Sequence, residues 1–203
     1  MNIKPESRNN TKNKGVSPQA LRICGFSLIC IMLMFGVAAI NKARAPEYLL
    51  AEYTIEDDLP RHVKFESRPR DLAQQAVGFF YMYQGTAQYE KCRTVTAPSR
   101  AEEMNFEQQS ADFKEGCYVK EYVIHSFRTL PEKEYEDRKE YYDGLAKSCG
   151  LKQYRVVQIT FDQKWSDAAL EKAPQWGDGS FTREFAVGKE KKPMGKWKIF
   201  NIF

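Results

Sequence analysis

The sequence predicts an α+β fold, in which an N-terminal transmembrane helix precedes a cone-like domain of two or three helices packed on a curved antiparallel sheet. Three observations lead to this prediction. Residues 23–40 form an uncharged apolar run, and residues 70–84 repeat apolar side chains at helical spacing. Later segments alternate apolar and polar residues, which is typical of half-buried strands. Helices followed by strands favour an α+β domain with an antiparallel sheet.

The apolar run is long enough to span a bilayer. Its 18 residues would form a helix of ~27 Å, against a hydrocarbon core of ~30 Å. Five basic residues and one acidic residue precede it, so the positive-inside rule places the N-terminus in the cytoplasm. We therefore expect a single-pass protein of the cell membrane with its C-terminal domain outside. The expected divisions are a cytoplasmic leader 1–22, a transmembrane helix 23–40, a linker 41–69 and a domain 70–203.

A cleaved secretory signal is the alternative to an anchor. Ala43, Arg44 and Ala45 form a small-x-small pattern that could be a processing site. Pro46 would then follow the cut, which signal peptidases tolerate poorly, and Lys42 and Arg44 place charges beside it. These features favour an uncleaved anchor.

The distribution of charge argues against nucleic-acid binding. The chain has 31 basic and 27 acidic residues, and removing the leader's five basic residues and one acidic residue leaves 26 of each. The domain is therefore neutral, and no basic stripe interleaved with aromatic residues is present in it. Nucleic acid is not an expected partner.

Helices are predicted in four places. Residues 70–84 form the first, which Gly85 ends, and its predicted apolar face is Leu72, Ala76, Phe79, Phe80 and Tyr83. Residues 86–96 form a shorter second, with a further helical turn near 98–106. A charged helix is expected over 132–148, with Gly150 after it. Thr129 and Glu132 would form its capping box, and its docked edge is a thin apolar stripe of Tyr135, Tyr142 and Leu145.

The strands are predicted in the second half of the chain. Residues 117–129 place Val119, Val123 and Phe127 on one face, together with Glu121 and His125. The alternating segments 154–165 and 181–187 are the next two strands. The aromatic end, 196–203, is expected to pair centrally or to close the core.

The order of these elements resembles the nuclear-transport-factor-2-like, or cystatin-like, fold over residues 71–203. The most specific feature is the closing motif Gly-Lys-Trp-Lys-Ile-Phe from Gly195 to Phe200, whose Trp packs on the first helix in that superfamily. The layout is also similar to small Gram-positive envelope proteins and to inner-membrane scaffold subunits of type IV secretion and conjugation machines. That resemblance implies assembly in a bacterial envelope.

Few residues are candidates for chemistry. The chain has two histidines, His62 and His125, without a metal-binding spacing, and no nucleotide- or phosphate-binding motif. No cofactor or metal is expected. The most enzyme-like arrangement is His125 with Glu121 as a general-base pair, and Tyr81, Tyr83 and Asp162 could complete a ligand pocket. The simpler interpretation, an ordinary structural pair, is favoured.

Cysteine chemistry is left open by the sequence. Cys92, Cys117 and Cys149 are expected outside the cytoplasm, where disulfides form, and three cysteines allow one disulfide plus one free thiol. In a Gram-positive envelope all three could instead stay reduced and buried.

Two functions from different classes fit these observations. The favoured hypothesis is a non-enzymatic interaction or scaffold module, held at the membrane, that engages envelope proteins or a second copy through apolar grooves or the charged helix 132–148. The alternative is a small-ligand-binding protein or enzyme that uses the interior of the cone. A large pocket containing His125 and Glu121 would favour the alternative.

Overall fold

The computed structural model describes residues 52–172, 177–191 and 195–203. They belong to one compact unit, 45–203. The leader 1–22 and the predicted transmembrane helix 23–40 lie outside the described residues, so both remain predictions. Within the described ranges, no helix combines the length and the apolar character needed to cross a membrane.

The described chain is an α+β domain, as the sequence predicts. Four of its helices lie between the second and third strands, one between the third and fourth, and one between the fourth and fifth. Strands lie at β1 (Tyr53–Ile55), β2 (Arg61–Phe65), β3 (Val119–Thr129), β4 (Leu151–Trp165), β5 (Gly179–Glu190) and β6 (Trp197–Ile202). Helices lie at α1 (Leu72–Gly85), α2 (Tyr89–Cys92), α3 (Pro98–Met104), α4 (Phe106–Lys114), α5 (Lys139–Ser148) and α6 (Asp167–Glu171).

The six strands form one curved sheet in the order β1-β2-β3-β4-β5-β6. All neighbours are antiparallel except β2 and β3, which are parallel. The prediction of a wholly antiparallel sheet is therefore wrong at this pair. A parallel pair needs a long crossover, and α1 to α4 supply it.

The first two strands lie within the predicted linker, 41–69. Arg61, Val63 and Phe65 of β2 are buried and alternate with His62 and Lys64, which are half-buried. This is the period-two pattern of a strand with one face on the core. Residues 53–65 are therefore part of the folded sheet.

Helix α1 packs across the inner face of the sheet. Asp71 caps its N-terminus, where the carboxylate Oδ1 accepts hydrogen bonds from the backbone N–H groups of Ala73 (2.9 Å) and Gln74 (3.0 Å). The buried face of the helix includes Phe80 and Tyr81, whereas Leu72, expected on that face, is exposed. The prediction of the helix is confirmed, but its buried face is rotated from the predicted one.

Two irregularities in β3 decide which of its residues face the core. The register with β4 shifts between Val119 and Glu121 and again between Ile124 and Ser126. Tyr122 and Ile124 consequently point to the inner face, and the second shift returns Phe127 to it. The prediction that one period-two face holds Val119, Val123, Phe127, Glu121 and His125 is wrong, because bulges break the alternation.

The predicted helix 132–148 is shorter than expected. Two 3-10 turns, Glu132–Glu134 and Glu136–Arg138, precede α5. The predicted capping box is wrong, since Thr129 ends β3 and its hydroxyl donates to Asp71 Oδ2 at 2.9 Å. The apolar stripe is correct. The α5 region packs through Leu130, Tyr135, Tyr142 and Leu145 on Val156 and Ala186 at one end of the outer face of the sheet.

The last strand closes an edge of the sheet. Strand β6 pairs with β5, and Ile199 also bonds to the segment between α2 and α3. Its backbone N–H donates to the carbonyl of Val95, and its carbonyl accepts from the N–H of Ala97, both at 2.8 Å. The aromatic terminus therefore helps to close the core, as predicted, from an edge position.

Candidate functional site

The residues predicted to form a site lie on both faces of the sheet. Glu121, His125 and Asp162 belong to the outer face, the side opposite α1, and are partly exposed. Tyr81 is buried against the inner face in contact with the rings of Tyr122 and Phe161. The sheet separates the two groups, so the predicted pocket of His125, Glu121, Tyr81, Tyr83 and Asp162 does not assemble.

His125 lies between two carboxylates on the outer face. Its Nδ1 is 2.8 Å from Glu66 Oε2, and its Nε2 is 3.1 Å from Asp162 Oδ2. The hydrogen bond to Glu66, followed by that to Asp162, raises the pKa of His125 above its usual value. A hydrogen bond from Ser180 and the pairing with His125 lower the pKa of Asp162, and the bond to His125 is the main cause of the lowered pKa of Glu66.

This geometry changes the expected chemistry of His125. An imidazole that donates from both nitrogens is protonated and has no free lone pair. A general base needs such a lone pair on a nitrogen that reaches the substrate. A protonated His125 bridges the two carboxylates through both nitrogens, and in that form it cannot abstract a proton.

Glu121 pairs with His62 and Lys164 instead of His125. The Nε2 of His62 is 2.8 Å from Glu52 Oε1, and its Nδ1 is 3.8 Å from Glu121 Oε2. The other oxygen of Glu121 is 2.6 Å from Lys164 Nζ, and this contact raises the pKa of the lysine. Both histidines of the chain thus lie between two carboxylates each.

Sequence reasoning missed Glu66, His62 and Glu52 as members of these clusters. The alternation of His62 and Lys64 with Val63 and Phe65 was a usable sign of a strand. It could not show that this strand pairs in parallel with β3, because their partners are 59 positions apart, as in His62 and Glu121. The clusters depend on that pairing.

A shallow depression of about 270 Å³ lies beside His125. Cross-strand pairs of polar side chains form its floor: Ser180 Oγ donates to Asp162 Oδ1, and Thr160 bonds to Ser126 at 2.6 Å. The depression is open to solvent, and its side-chain acceptors are already engaged with neighbours. The depression is therefore a solvent-exposed surface whose polar groups bond to one another.

Aromatic rings fill the inner side of the sheet. The ring centroid of Tyr81 lies 5.2 Å from that of Tyr122, 5.0 Å from that of Phe161 and 5.9 Å from that of Phe185. Burial raises the pKa of the Tyr81 hydroxyl well above its usual value. Tyr83 stacks on Phe79 at 5.9 Å and is only half-buried. Packing accounts for both tyrosines.

One pocket of about 140 Å³ opens beside this core, at the end of the sheet where β3 begins and β4 ends. Helices α1, α2 and α4 supply Gln84, Tyr89 and Gln109, and the two glutamines bond to each other at 2.9 Å. Trp165 of β4 also lines the pocket, and its buried indole N–H has no hydrogen-bond partner among the described residues. It contains neither His125 nor Glu121.

The three described cysteines are free thiols in different parts of the domain. Cys92 ends α2 in the core, and burial raises its pKa to about 12. Cys117 precedes β3 and Cys149 follows α5, both half-buried. The disulfide that the sequence left possible is not formed among these three. In the ranges the structure describes, no group of three or more histidine, cysteine or acidic residues could hold a metal ion.

Comparison of the chain with protein-family models, with curated proteins and with solved structures found no match.

Proposed function

We propose that this chain is a membrane-anchored interaction or scaffold module on the outer side of a bacterial cell membrane. Its anchor would be residues 23–40, and its folded domain, with a nuclear-transport-factor-2-like arrangement, would bind envelope proteins or a second copy of itself. A place in a secretion or conjugation assembly is the setting that the layout favours. The role of such a module is positioning, without turnover.

The observation that carries the proposal is an exposed aromatic pair on the surface of the domain. Tyr141 of α5 and Phe203 at the C-terminus are 53% and 45% exposed, with ring centroids 5.8 Å apart. The fully buried ring of Tyr142 lies 5.5 Å from Phe203, and Asn201 Nδ2 donates to the Tyr141 hydroxyl at 2.9 Å. The pair is exposed and held in place at the same time.

Such a pair suits protein binding. Aromatic side chains contribute most to interfaces when they are already ordered, because less rotamer freedom is lost on binding. Tyr141 also lies within the charged segment 132–148, the surface that the sequence predicts for partners. Elsewhere, no catalytic group is assembled among the described residues. Aromatic rings fill the inner face of the sheet, and both nitrogens of His125 are paired with carboxylates.

Photocrosslinking in intact cells tests the proposal. A photoreactive amino acid at position 141 should yield a crosslinked species of higher mass, either with an envelope protein or with a second copy. The matched control is position 114, where Lys114 is exposed on α4, away from the aromatic pair. Equal yields at 141 and 114, or no product at 141, would contradict the proposal.

The anchor is tested separately. The full chain should stay with the membrane after alkaline carbonate extraction, and a variant lacking residues 1–40 should be released. Mass spectrometry of the mature protein should find peptides that begin before Ala45. A mature N-terminus at Pro46 would instead establish a cleaved signal.

A second candidate function is small-ligand binding in the pocket beside Trp165. Its volume of about 140 Å³ is close to that of an engineered cavity of ~150 Å³ that binds benzene. The unpartnered indole N–H of Trp165 calls for an acceptor. Phenol is a suitable probe, since it combines that size with a hydroxyl oxygen.

Two-dimensional NMR would detect phenol in the pocket. Saturable shifts of the Trp165 indole resonance and of the resonances of Tyr89 and Gln109 would support this candidate. In Trp165→Phe, the shifts of Tyr89 and Gln109 should be lost. Shifts that grow linearly with concentration would reject it.

A further inference from the structure

Both histidines of the chain connect the β1–β2 hairpin to the rest of the sheet. His62 of β2 faces Glu121 of β3, and Glu52, just before β1, bonds to the other side of the same ring. His125 of β3 bonds to Glu66, the residue directly after β2. Each imidazole therefore links a hairpin group to a group on the central strands.

The charges around His125 balance only when its imidazole is protonated. It contacts the carboxylates of Glu66 and Asp162, and Lys64 pairs with Glu66. One imidazolium ion therefore brings these groups to neutrality, and loss of its proton leaves a net charge of −1 between the hairpin and β4. The second cluster on the same face holds the other charged groups: Glu52, His62, Glu121 and Lys164.

The hydrogen bonds respond in the same direction. A neutral imidazole has one N–H group and can donate only once. Deprotonated His125 must therefore give up its bond to either Glu66 or Asp162, and the two carboxylates then face each other without a cation between them. Lys64, 3.2 Å from Glu66, compensates only one side.

The two strands of the hairpin are held to different degrees. Strand β1 has three residues and pairs with β2, whose other neighbour is β3. Phe65 stacks on Phe127 with centroids 6.4 Å apart, and the Tyr118 hydroxyl donates to the carbonyl of Pro60 at 3.2 Å. Strand β1 lies at the edge of the sheet and has no buried residue, so it opens locally at a low free-energy cost compared with β2, whose Val63 and Phe65 belong to the core.

We propose that His125 acts as a proton-operated latch, which together with the His62 pair fastens the β1–β2 hairpin to the outer face of the sheet and loosens it when the His125 imidazole loses its proton. The latch is closed below the pKa of His125, as long as Glu66 and Asp162 remain ionised, and opens as the pH rises through that pKa. This inference is independent of the partner surface at Tyr141.

Hydrogen exchange of the full chain in detergent micelles tests the latch. Between pH 6 and pH 9, protection of the amides of 53–65, corrected for intrinsic exchange, should fall by about three- to tenfold relative to α1. The double variant His62→Gln/His125→Gln should lose this pH dependence. Lys120 also lies on β3, and Lys120→Gln removes only its exposed pair with Asp167. This control variant should retain the pH dependence of hairpin protection.

Several results would overturn the proposal. Hairpin protection that does not change with pH in the wild type would do so, as would an equal change in α1 or in the double variant. If the double variant fails to fold, an NMR titration of the wild-type imidazoles decides the matter. A His125 pKa at or below the ordinary value of about 6.5 would rule the latch out.

Discussion

Val63 of β2 lies directly against Gly85 at the C-terminal end of α1, so closely that a Cβ atom at Gly85 would come within 2.2 Å of Val63 Cγ2. Val63 is fully buried, and Tyr122 Cδ2 would lie 3.0 Å from the same added atom. The close approach of helix and strand therefore requires glycine at position 85. It also ties the hairpin to the end of the first helix.

We predict that Gly85→Ala lowers the free energy of unfolding by about 1–3 kcal/mol, because the methyl group overpacks the contact with Val63. Urea denaturation followed by circular dichroism measures the effect. Gly144→Ala is the matched control, since an added Cβ there meets nothing within 4 Å in helix α5. This control should gain about 0.5–1 kcal/mol from helix propensity, and a loss of stability in both variants would refute the argument.

The capping carboxylate of Asp71 also joins α1 to the sheet. Its Oδ1 caps the helix, while its Oδ2 accepts from the Thr129 hydroxyl and lies 2.8 Å from Arg155 Nη1. Asp71→Ala should cost about 2 kcal/mol of unfolding free energy, measured by urea denaturation. Asp71→Asn keeps a capping oxygen and should cost about 0.5 kcal/mol. Equal costs for the two variants would show that charge, and not capping, dominates.

Truncation of two phenylalanines should separate stability from partner binding. Phe185→Ala removes a fully buried ring next to Phe80 and Tyr81, and should cost about 3–5 kcal/mol of unfolding free energy in thermal or urea denaturation. Phe203→Ala should change stability by less than about 1 kcal/mol because its ring is half exposed. The Phe203 variant should nevertheless lose crosslinking from position 141. Retained crosslinking would separate Phe203 from the partner surface.

Stability should depend on pH through the His125 cluster. The pKa of His125 is raised, so its contribution is complete below about 6.5 and is lost as the pH rises through the folded value. The pKa values of Glu66 and Asp162 are lowered, so their contribution is lost as the pH falls below about 4.

The stability difference between wild type and His125→Gln should therefore be greatest between about pH 4.5 and 6.5. Because the ring is 36% exposed, solvent screening should limit this difference to about 1 kcal/mol. Chemical denaturation in a series of buffers measures it. A difference that is constant from pH 4 to pH 9 would contradict the assignment of the cluster.

The three described thiols should differ in reactivity. Cys92 is fully buried and burial raises its pKa to about 12, so it should resist iodoacetamide in the native protein at neutral pH. Cys117 and Cys149 are half-buried and should be alkylated. Peptide mapping after alkylation, with a denatured sample as the fully reactive control, measures each site. Protection of Cys117 and Cys149 in the denatured, unreduced sample would reveal a disulfide.

The secondary structure that depends on local pattern was largely predictable. The helix ending at Gly85 and the long alternating strand through Val157, Ile159 and Phe161 both appear in the structure, because their apolar spacing is regular over many residues. The strand β3 was predicted by position but not by face. Its bulges shift the alternation, and nothing in the local pattern marks where a bulge falls.

The candidate site was predictable only in part. His125 and Asp162 were both singled out, and the structure brings them together through antiparallel pairing of neighbouring strands. Glu121, four positions before His125, was the wrong partner because the bonded carboxylates come from Glu66, directly after β2, and from Asp162 of β4. The pocket beside Trp165 draws side chains from three helices and two strands, which no local pattern could have assembled.

The sequence by itself determined the α+β class, the neutrality of the domain and the main helical and strand segments, because composition and periodicity are local properties of the chain. It also predicts the membrane anchor, which lies outside the described residues. Only the tertiary structure decided which strands are neighbours, and with them the two histidine clusters. The physical reason is that the parallel pairing of β2 with β3 depends on a crossover of four helices, whose packing reflects the whole core at once.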